Sequence, residues 1–486
     1  MTVAANALSG HFIGGAWTEA RPDAVSVNPA DPSDTVLRHS RATEAELDDA
    51  FAAAKAAATG WSQLPATLRA SFLRRIAGLI QRDEAALTDL VIREEGKSHP
   101  EANGEVRRAA AIFHFHAAQA WQAQGEVFAS TNPAEEIRTV RTPVGVVAVI
   151  TPWNFPIAIP AWKIAPALVH GNPIVWKPAS PTPAVAVALM RLIEEAELPP
   201  GVLNLVLGTG SVGAAMTRHP DVAAISFTGS DNVGKAIWNE ATARGVRVQL
   251  EMGGQSAAIV SDDADLGQAA RQIVIGAMGA SGQKCTATRR MIALSSIYDE
   301  IVERVIAEIA MLSVGDGRDP RNQVGPLITS SAREEVLDSV RRAQVEGGTL
   351  LVGGKLDQPS LQEGYYVAPT VVADVAGGSH LAQDEVFGPV LGVIRVADVD
   401  EAFARANETR FGLAAAVFTT SEITTRRALA ELDVGIIHIN NATTGGEPHV
   451  PFGGMRDSSS QAPREQGQTA RDFFTKLKTA YIEAVA

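Results

Sequence analysis

The sequence predicts an α/β fold built on doubly wound parallel sheets, and three observations predict it. Between residues 146 and 250, short apolar runs (VVAVI, PIVW, VLNLV, VAAISF and VRVQL) are separated by stretches with helical spacing. Near-continuous apolar runs are what strands buried on both faces require. A second alternation starts near Ser256 with SAAIV and runs to about His449, with GIIHIN at 435–440. Finally, 486 residues at 46% hydrophobic and 20% charged are ordinary in composition but too many for one core, so two or three domains are expected. In such sheets ligands lie beyond the carboxyl ends of the strands, so chemistry is expected in the residues that follow each run.

In chain order, residues 11–40 (HFIGGAW, then VNPADPSD) read as short strands and turns. Thr43-Glu44-Ala45-Glu46 forms a capping box, and Leu47, Phe51, Ala54 and Ala58 follow at helical spacing. Pro65 opens a second helix with Leu68, Phe72, Ile76 and Leu79 on one face, and a third runs from about Glu101 to Trp121. Further helices are expected at 183–195, 211–218, 233–243, 264–280 and 298–312, and strands near 389–396 and 414–419. The last segment, FTKLKTAYIEA, alternates loosely like a strand. It has no partner in either block, so pairing across a subunit interface is expected.

Composition narrows the function classes. A net charge of −13 argues against a general nucleic-acid surface. No apolar run approaches the roughly 20 residues of a spanning helix, and no leader is read at the N-terminus, so a cytoplasmic protein without a membrane partner is expected. His114 and His116 lie two apart on a helix and face different ways, and no metal site is expected.

Cys285 is the only cysteine, in SGQKCTATRR. An intramolecular disulfide is therefore excluded; the thiol is either a small buried hydrophobe or a nucleophile. Small neighbours (Gly282, Thr286, Ala287) leave room beside it, and Lys284 with Arg289 or Arg290 would favour a thiolate. The apolar rhythm of Ala269 to Ala280 places it in a loop after a helix. Asn154, in TPWNFP after the first buried strand, either donates to an oxyanion or closes its own turn. Lys177 sits at a strand tip and suits ribose hydroxyls or phosphate. Glu251, between a strand and two glycines, is either a base with a raised pKa or an ordinary strand-end acid. Gly208, Gly210 and Gly213 spell G-x-G-x-x-G but lack the acidic residue expected downstream, so they read first as turn geometry. FTGSDNVG, 227–234, either meets a pyrophosphate through Ser230 and its backbone or is a plain strand–helix turn. Glu385 and Phe387 lie in the turn DEVFGPV.

Taken in order, FIGGAW, TPWNFP, AWKIAPAL, KPAS, FTGS, LEMGG, GQKC, EVFGP, PFGG and the stretch Arg464 to Gly467 resemble the aldehyde dehydrogenase superfamily over nearly the whole chain. The resemblance implies a Rossmann-type dinucleotide-binding domain (1–122 and 142–252), an α/β catalytic domain (253–450) and a small β oligomerisation element (123–141 and 465–486). It implies a homodimer or homotetramer that oxidises a small aldehyde. Cys285 would attack the aldehyde, Asn154 and the Cys285 N–H would hold the oxyanion, hydride would pass to the nicotinamide, and Glu251 would activate water against the thioester. Lys163 and Glu465 match proton-relay positions. Thr151, Pro152, Trp153, Lys177, Ser180, Gly210, Phe227, Gly229, Ser230, Gly253, Glu385 and Phe387 match cofactor positions. Ser180 stands where NAD-preferring members often carry Glu, so NADP is acceptable and favoured over NAD. Glu251 favours release as a free acid over transfer to coenzyme A. The branch most resembled oxidises α-ketoglutaric semialdehyde (2,5-dioxopentanoate). Trp162 replaces the Arg of the succinic semialdehyde branch, leaving Arg289 and His449 as carboxylate contacts. Trp162 and Phe452 would equally line an apolar pocket for an aliphatic or aromatic aldehyde.

Overall fold

The five apolar runs of the first block become five parallel strands of one seven-stranded sheet. The structure is a computed structural model that describes residues 7–356, 358, 361–460 and 462–483. The outermost ends of the expected domains, at residues 1 and 486, lie outside the described residues, as does Gln461. Across the sheet the order is Arg247–Glu251, Ala224–Thr228, Val147–Ile150, Ile174–Lys177 and Leu203–Leu205. The short strands Phe12–Ile13 and Ala16–Trp17 extend it antiparallel. Strand order reverses between Val147–Ile150 and Ala224–Thr228, which are direct neighbours. A crevice opens at such a reversal, because the following helices leave to opposite faces.

Both faces of this sheet are covered, which is why its strands read as continuous apolar runs. One core contains Trp61, Ile76, Phe113, Ile164 and Trp176, from the helices Glu44–Gln63, Ala66–Arg82, His99–Ala118 and Ala158–Val169 and a strand. The opposite core contains Phe51, Ile150, Met216, Phe227 and Ile237. The capping box forms as the sequence implies: Glu46 N–H donates to Thr43 Oγ1 at 3.2 Å and Thr43 N–H to Glu46 Oε2 at 2.8 Å. Such a cap contributes about 1 kcal/mol.

The second block is another seven-stranded sheet, ordered Thr349–Gly354, Ala368–Ala373, Val390–Val396, Thr288–Leu294, Ser256–Val260, Ala414–Phe418 and Ile436–Ile439. All neighbours are parallel except the first pair, which is antiparallel. It too has a core on each face. The two sheets bring their carboxyl-end loops together, and Cys285 lies between them.

The C-terminal segment departs from expectation. Strand Thr475–Glu483 pairs antiparallel, along its whole length, with Glu135–Pro143 of the same chain. That strand also pairs with Val127–Phe128. The partner was not apparent because Glu135–Pro143 is only half-buried and carries four charged residues among its nine, so it lacks the apolar run that marks the other strands. Among the described residues, no helix is long and apolar enough to cross a membrane.

Candidate active site

Helix Leu266–Met278 ends at Gly279, and the chain then takes three successive left-handed residues, Ala280 (φ 49°), Ser281 (φ 56°) and Gly282 (φ 69°). L-residues adopt this conformation at a cost of roughly 1–2 kcal/mol each. Three ties hold it. Ala280 N–H donates to Glu101 Oε1 at 2.7 Å, Ser281 Oγ donates to Gly325 O at 2.8 Å, and Ile328 N–H donates to Gln283 Oε1 at 2.9 Å. The turn delivers Cys285, half-buried, at a place where two cavities meet.

The first cavity, about 200 Å³, lies at the strand-order reversal. Its walls include Trp153 and Asn154 from the turn after Val147–Ile150, Gly229 and Ser230 after Ala224–Thr228, and Glu385 and Phe387 from the second block. Pro152 and Gly253 also line it. A Cβ at Gly253 would collide with Glu385 Oε2, so only glycine lets that carboxylate in. Thr151 lies beneath, its Oγ1 accepting from Trp176 Nε1 at 3.0 Å. A further cavity of about 400 Å³ is lined by Lys177, Gly210, Gly213, Phe227 and Arg218. Ser180 is not part of that lining; it is exposed and donates to Gly208 O at 3.0 Å.

The second cavity at Cys285 encloses about 270 Å³ and includes Arg108, Phe155, Trp162, Lys284 and Phe452. The rings of Trp162 and Phe452 lie 5.6 Å apart. Arg289 and His449 are not in its lining. Arg289 donates to Gly388 O and Lys284 O, both at 3.0 Å, and lies 3.9 Å from Glu385. His449 is exposed, with its ring 6.4 Å from that of Phe115.

The basic neighbours do not produce a thiolate in the free protein. Burial, then the charges of Glu385 and Glu251, push the Cys285 thiol up to about 12 against the relief from Arg289. Lys284 is committed to Glu101 at 3.0 Å, and Arg290 points to the backbone of Gln255, Arg405 and Ala406. Asn154 donates one amide N–H to Gln283 O at 2.9 Å, leaving its other N–H available.

Glu251 ends strand Arg247–Glu251 and is buried. Burial and the nearby charge of Glu465 hold its carboxyl well above the usual carboxylate range. Its Oε1 accepts from Ser459 Oγ at 2.6 Å, and its Oε2 has no partner among the described residues. Behind it, Lys163 Nζ donates to Ser226 Oγ at 3.0 Å and pairs with Glu465. The segment Phe452 to Glu465 folds back to close this group, with Phe452 N–H donating to Glu465 O at 2.7 Å. Sequence reasoning missed Arg108, Glu101, Thr228 and Ser459.

The residues fit a dinucleotide. Thr228, at the first cavity, keeps a buried hydroxyl without a partner. Lys177 is buried, has only the carbonyl of Pro178 as a hydrogen-bond partner among the described residues, and is pushed down to about 8 by burial. Ribose hydroxyls and phosphate oxygens are what such donors lack.

Comparison with known proteins agrees. The family model described as aldehyde dehydrogenase family matches residues 17–480. An α-ketoglutaric semialdehyde dehydrogenase of Bacillus subtilis is 41% identical over 97% of this chain and 98% of its own length. An α-ketoglutarate semialdehyde dehydrogenase of Haloferax volcanii is 40% identical, again over 97% and 98%. The crystal structure of betaine aldehyde dehydrogenase from Staphylococcus aureus in complex with NAD+ is similar with a TM-score of 0.94 at 33% identity, covering 98% of this chain and 94% of that one. With a match of this length joined to a lone cysteine between two cavities, the chain belongs to the aldehyde dehydrogenase family and is an oxidoreductase that oxidises aldehydes with NAD(P).

Proposed function

We propose that this enzyme oxidises an anionic semialdehyde, of the α-ketoglutaric (2,5-dioxopentanoate) type, to the free acid. The observation that carries the site assignment is that Cys285 belongs to both cavities, so one sulfur faces a cofactor space and a substrate space at once. The substrate class is supported by the two relatives just named.

In the proposed sequence the Cys285 sulfur bonds to the aldehyde carbon as its own proton leaves. With the thiol at about 12, a base must take that proton, and we assign that role to Glu251, whose charge acts on the thiol. The free amide N–H of Asn154 and the Cys285 backbone N–H receive the negative oxygen. NAD(P), when bound, supplies the acceptor for the hydride. The acyl group is then a thioester on Cys285; Glu251, having given the thiol's proton to the Lys163 and Glu465 pair, takes a proton from the water that adds to the thioester, and the acid is released as the Cys285 sulfur leaves. Lys163 and Glu465 pass that proton on. Trp153, Thr228, Gly229, Ser230, Glu385 and Phe387 would hold the nicotinamide half, and Lys177, Gly210 and Phe227 the adenosine half. Ser180 sets no carboxylate against a 2′-phosphate, so NADP is the favoured cofactor. The apolar walls Phe155, Trp162 and Phe452 favour a second reading, a neutral aliphatic or aromatic aldehyde.

The test is a panel of semialdehydes, aliphatic and aromatic aldehydes assayed with NAD and NADP, for wild type and Cys285→Ala. Expected outcomes are highest kcat/KM for a carboxylate-bearing semialdehyde with NADP, and loss of turnover in the variant. Equal turnover by the variant removes Cys285 from the mechanism, and a preference for neutral aldehydes establishes the second reading.

A further inference from the structure

Five charged side chains line the substrate cavity: Lys97, Arg108 and Lys284 against Glu101 and Glu105. Four of them are matched. Lys97 donates to Glu105 at 2.6 Å, and Lys284 donates to Glu101 at 3.0 Å. Arg108 is left without an ion-pair partner among the lining residues; the charges of Glu447 and Glu105 act on it only from beyond ion-pair distance. Among the described residues, Arg108 forms no ion pair, and its one hydrogen bond is Nη2 to Gln466 Oε1 at 3.3 Å. Its Nε is buried without a partner. Next to it, Trp162 is 7% exposed and its indole N–H also lacks a partner. The guanidinium carbon lies 5.8 Å from the centre of the indole ring.

Helix His99–Ala118 explains how the charge reaches the cavity. Glu101, Gly104, Glu105 and Arg108 are spaced i, i+3, i+4 and i+7, so they share one face, and all four line the cavity. Gly104 is a mid-helix glycine, which costs about 1 kcal/mol relative to alanine. A Cβ there would touch nothing, so no packing demand explains the glycine; its effect is open space one turn from Arg108. Two buried donors without acceptors are unfavourable alone and become favourable once an anion occupies the space.

We propose that Arg108, with the indole N–H of Trp162 as a second donor, receives the substrate carboxylate at the end of the cavity away from Cys285. This rests on the anionic semialdehyde reading and gives it a recognition residue. Phe155 and Phe452 then border the uncharged chain between the carboxylate and the aldehyde carbon at Cys285. Arg108 takes the part that Arg289 and His449, which lie outside the lining, do not.

The experiment compares 2,5-dioxopentanoate and succinic semialdehyde with pentanal and butanal, for wild type, Arg108→Met, Arg108→Lys and Trp162→Phe. The reading is the ratio of kcat/KM for anionic over neutral aldehyde. In Arg108→Met the ratio falls by roughly tenfold or more, mainly through KM, because a charge-assisted hydrogen bond to the carboxylate is lost. Arg108→Lys recovers part of it, and Trp162→Phe shows a smaller fall. A second measurement covers poor folding of the methionine variant: glutarate slows alkylation of Cys285 by iodoacetamide in wild type and does so less in Arg108→Lys and Trp162→Phe. If wild type prefers the anionic aldehydes and Arg108→Met keeps that preference, the Arg108 assignment falls while the substrate reading stands. If wild type shows no preference for the anion, both fall.

Discussion

Ser459 Oγ donates to Glu251 Oε1 at 2.6 Å, while the other carboxylate oxygen is buried without a partner. Burial and then Glu465 raise the Glu251 pKa, and the Ser459 hydrogen bond is the largest influence lowering it. Ser459→Ala therefore raises it further, because a hydrogen bond to the ionised form is lost. A base acts when unprotonated, so the acidic limb of thioester hydrolysis moves to higher pH. Pre-steady-state release of acid across pH, in wild type and variant, reads the shift; an unmoved limb means that Ser459 does not set the basicity of Glu251. This contact was not legible because the two residues are 208 apart in the chain and meet only through the fold-back of residues 452–465. Cys285 stood out as the lone cysteine, and Asn154 and Glu251 because each is a polar residue at or just beyond the carboxyl end of an apolar run. Their charged neighbours misled, because closeness in sequence does not give direction. Arg289 and Arg290 are adjacent in strand Thr288–Leu294 and so point to opposite faces, one toward Gly388 and the other toward Gln255.

The element that aims Cys285 is the left-handed turn at 280–282, and Glu101 is its main external tie. The carboxylate accepts from Ala280 N–H at 2.7 Å, Lys284 Nζ at 3.0 Å and Ser98 Oγ at 2.9 Å. Burial works against the ionised form, but Lys284 and Ser98 outweigh it, and the Glu101 pKa is lowered from 4.5. A depressed folded-state pKa means stabilisation that is complete above 4.5 and lost as pH falls through the depressed value. Glu101→Ala should lower stability by about 1–3 kcal/mol at pH 7 for the unsatisfied groups it leaves. Hydrogen exchange at residues 279–285 should accelerate, and the difference from wild type should narrow toward low pH. An exchange rate like wild type would show that Gly325 and Gln283 hold the turn unaided. The sequence placed Cys285 after a helix but not in this turn, since nothing about Ala280 or Ser281 advertises a positive φ. Helix Ala158–Val169 was hidden for the opposite reason: Pro160 and Pro166 lie within it, the latter in its interior, and tertiary packing overrides the penalty, with every residue of the helix buried.

At the scale of the molecule, both large sheets were legible because their strands are buried on two faces and read as unbroken apolar runs. Their order was not, since parallel pairing is non-local and adjacent runs such as 203–205 and 224–228 end on opposite sides of the reversal. The third sheet was the least legible and has the most unfinished surface. Among the described residues, strand Thr475–Glu483 is hydrogen-bonded along one edge only, by Glu135–Pro143, and its other edge is free. Tyr481 is 67% exposed, Leu477 58% and Val127 of the same sheet 76%. A free nine-residue edge with apolar side chains beside it is a template for another chain. Lys476 and Lys478 on the same strand disfavour open-ended stacking and leave a defined partner as the better solution. A second copy of this chain fits the expectation of a homo-oligomer built through this element. Leu477 and Tyr481 are four apart, so they project from one face of the strand, and Leu477→Asp with Tyr481→Asp puts two charges on that face without touching either active-site cavity. Light scattering should give wild type at a multiple of the 51.1 kDa chain and the double variant near one chain mass. A wild type at one chain mass would end the oligomer proposal. An oligomeric wild type with an unchanged double variant would move the interface to another surface, and the exposed edge would then need a different cover.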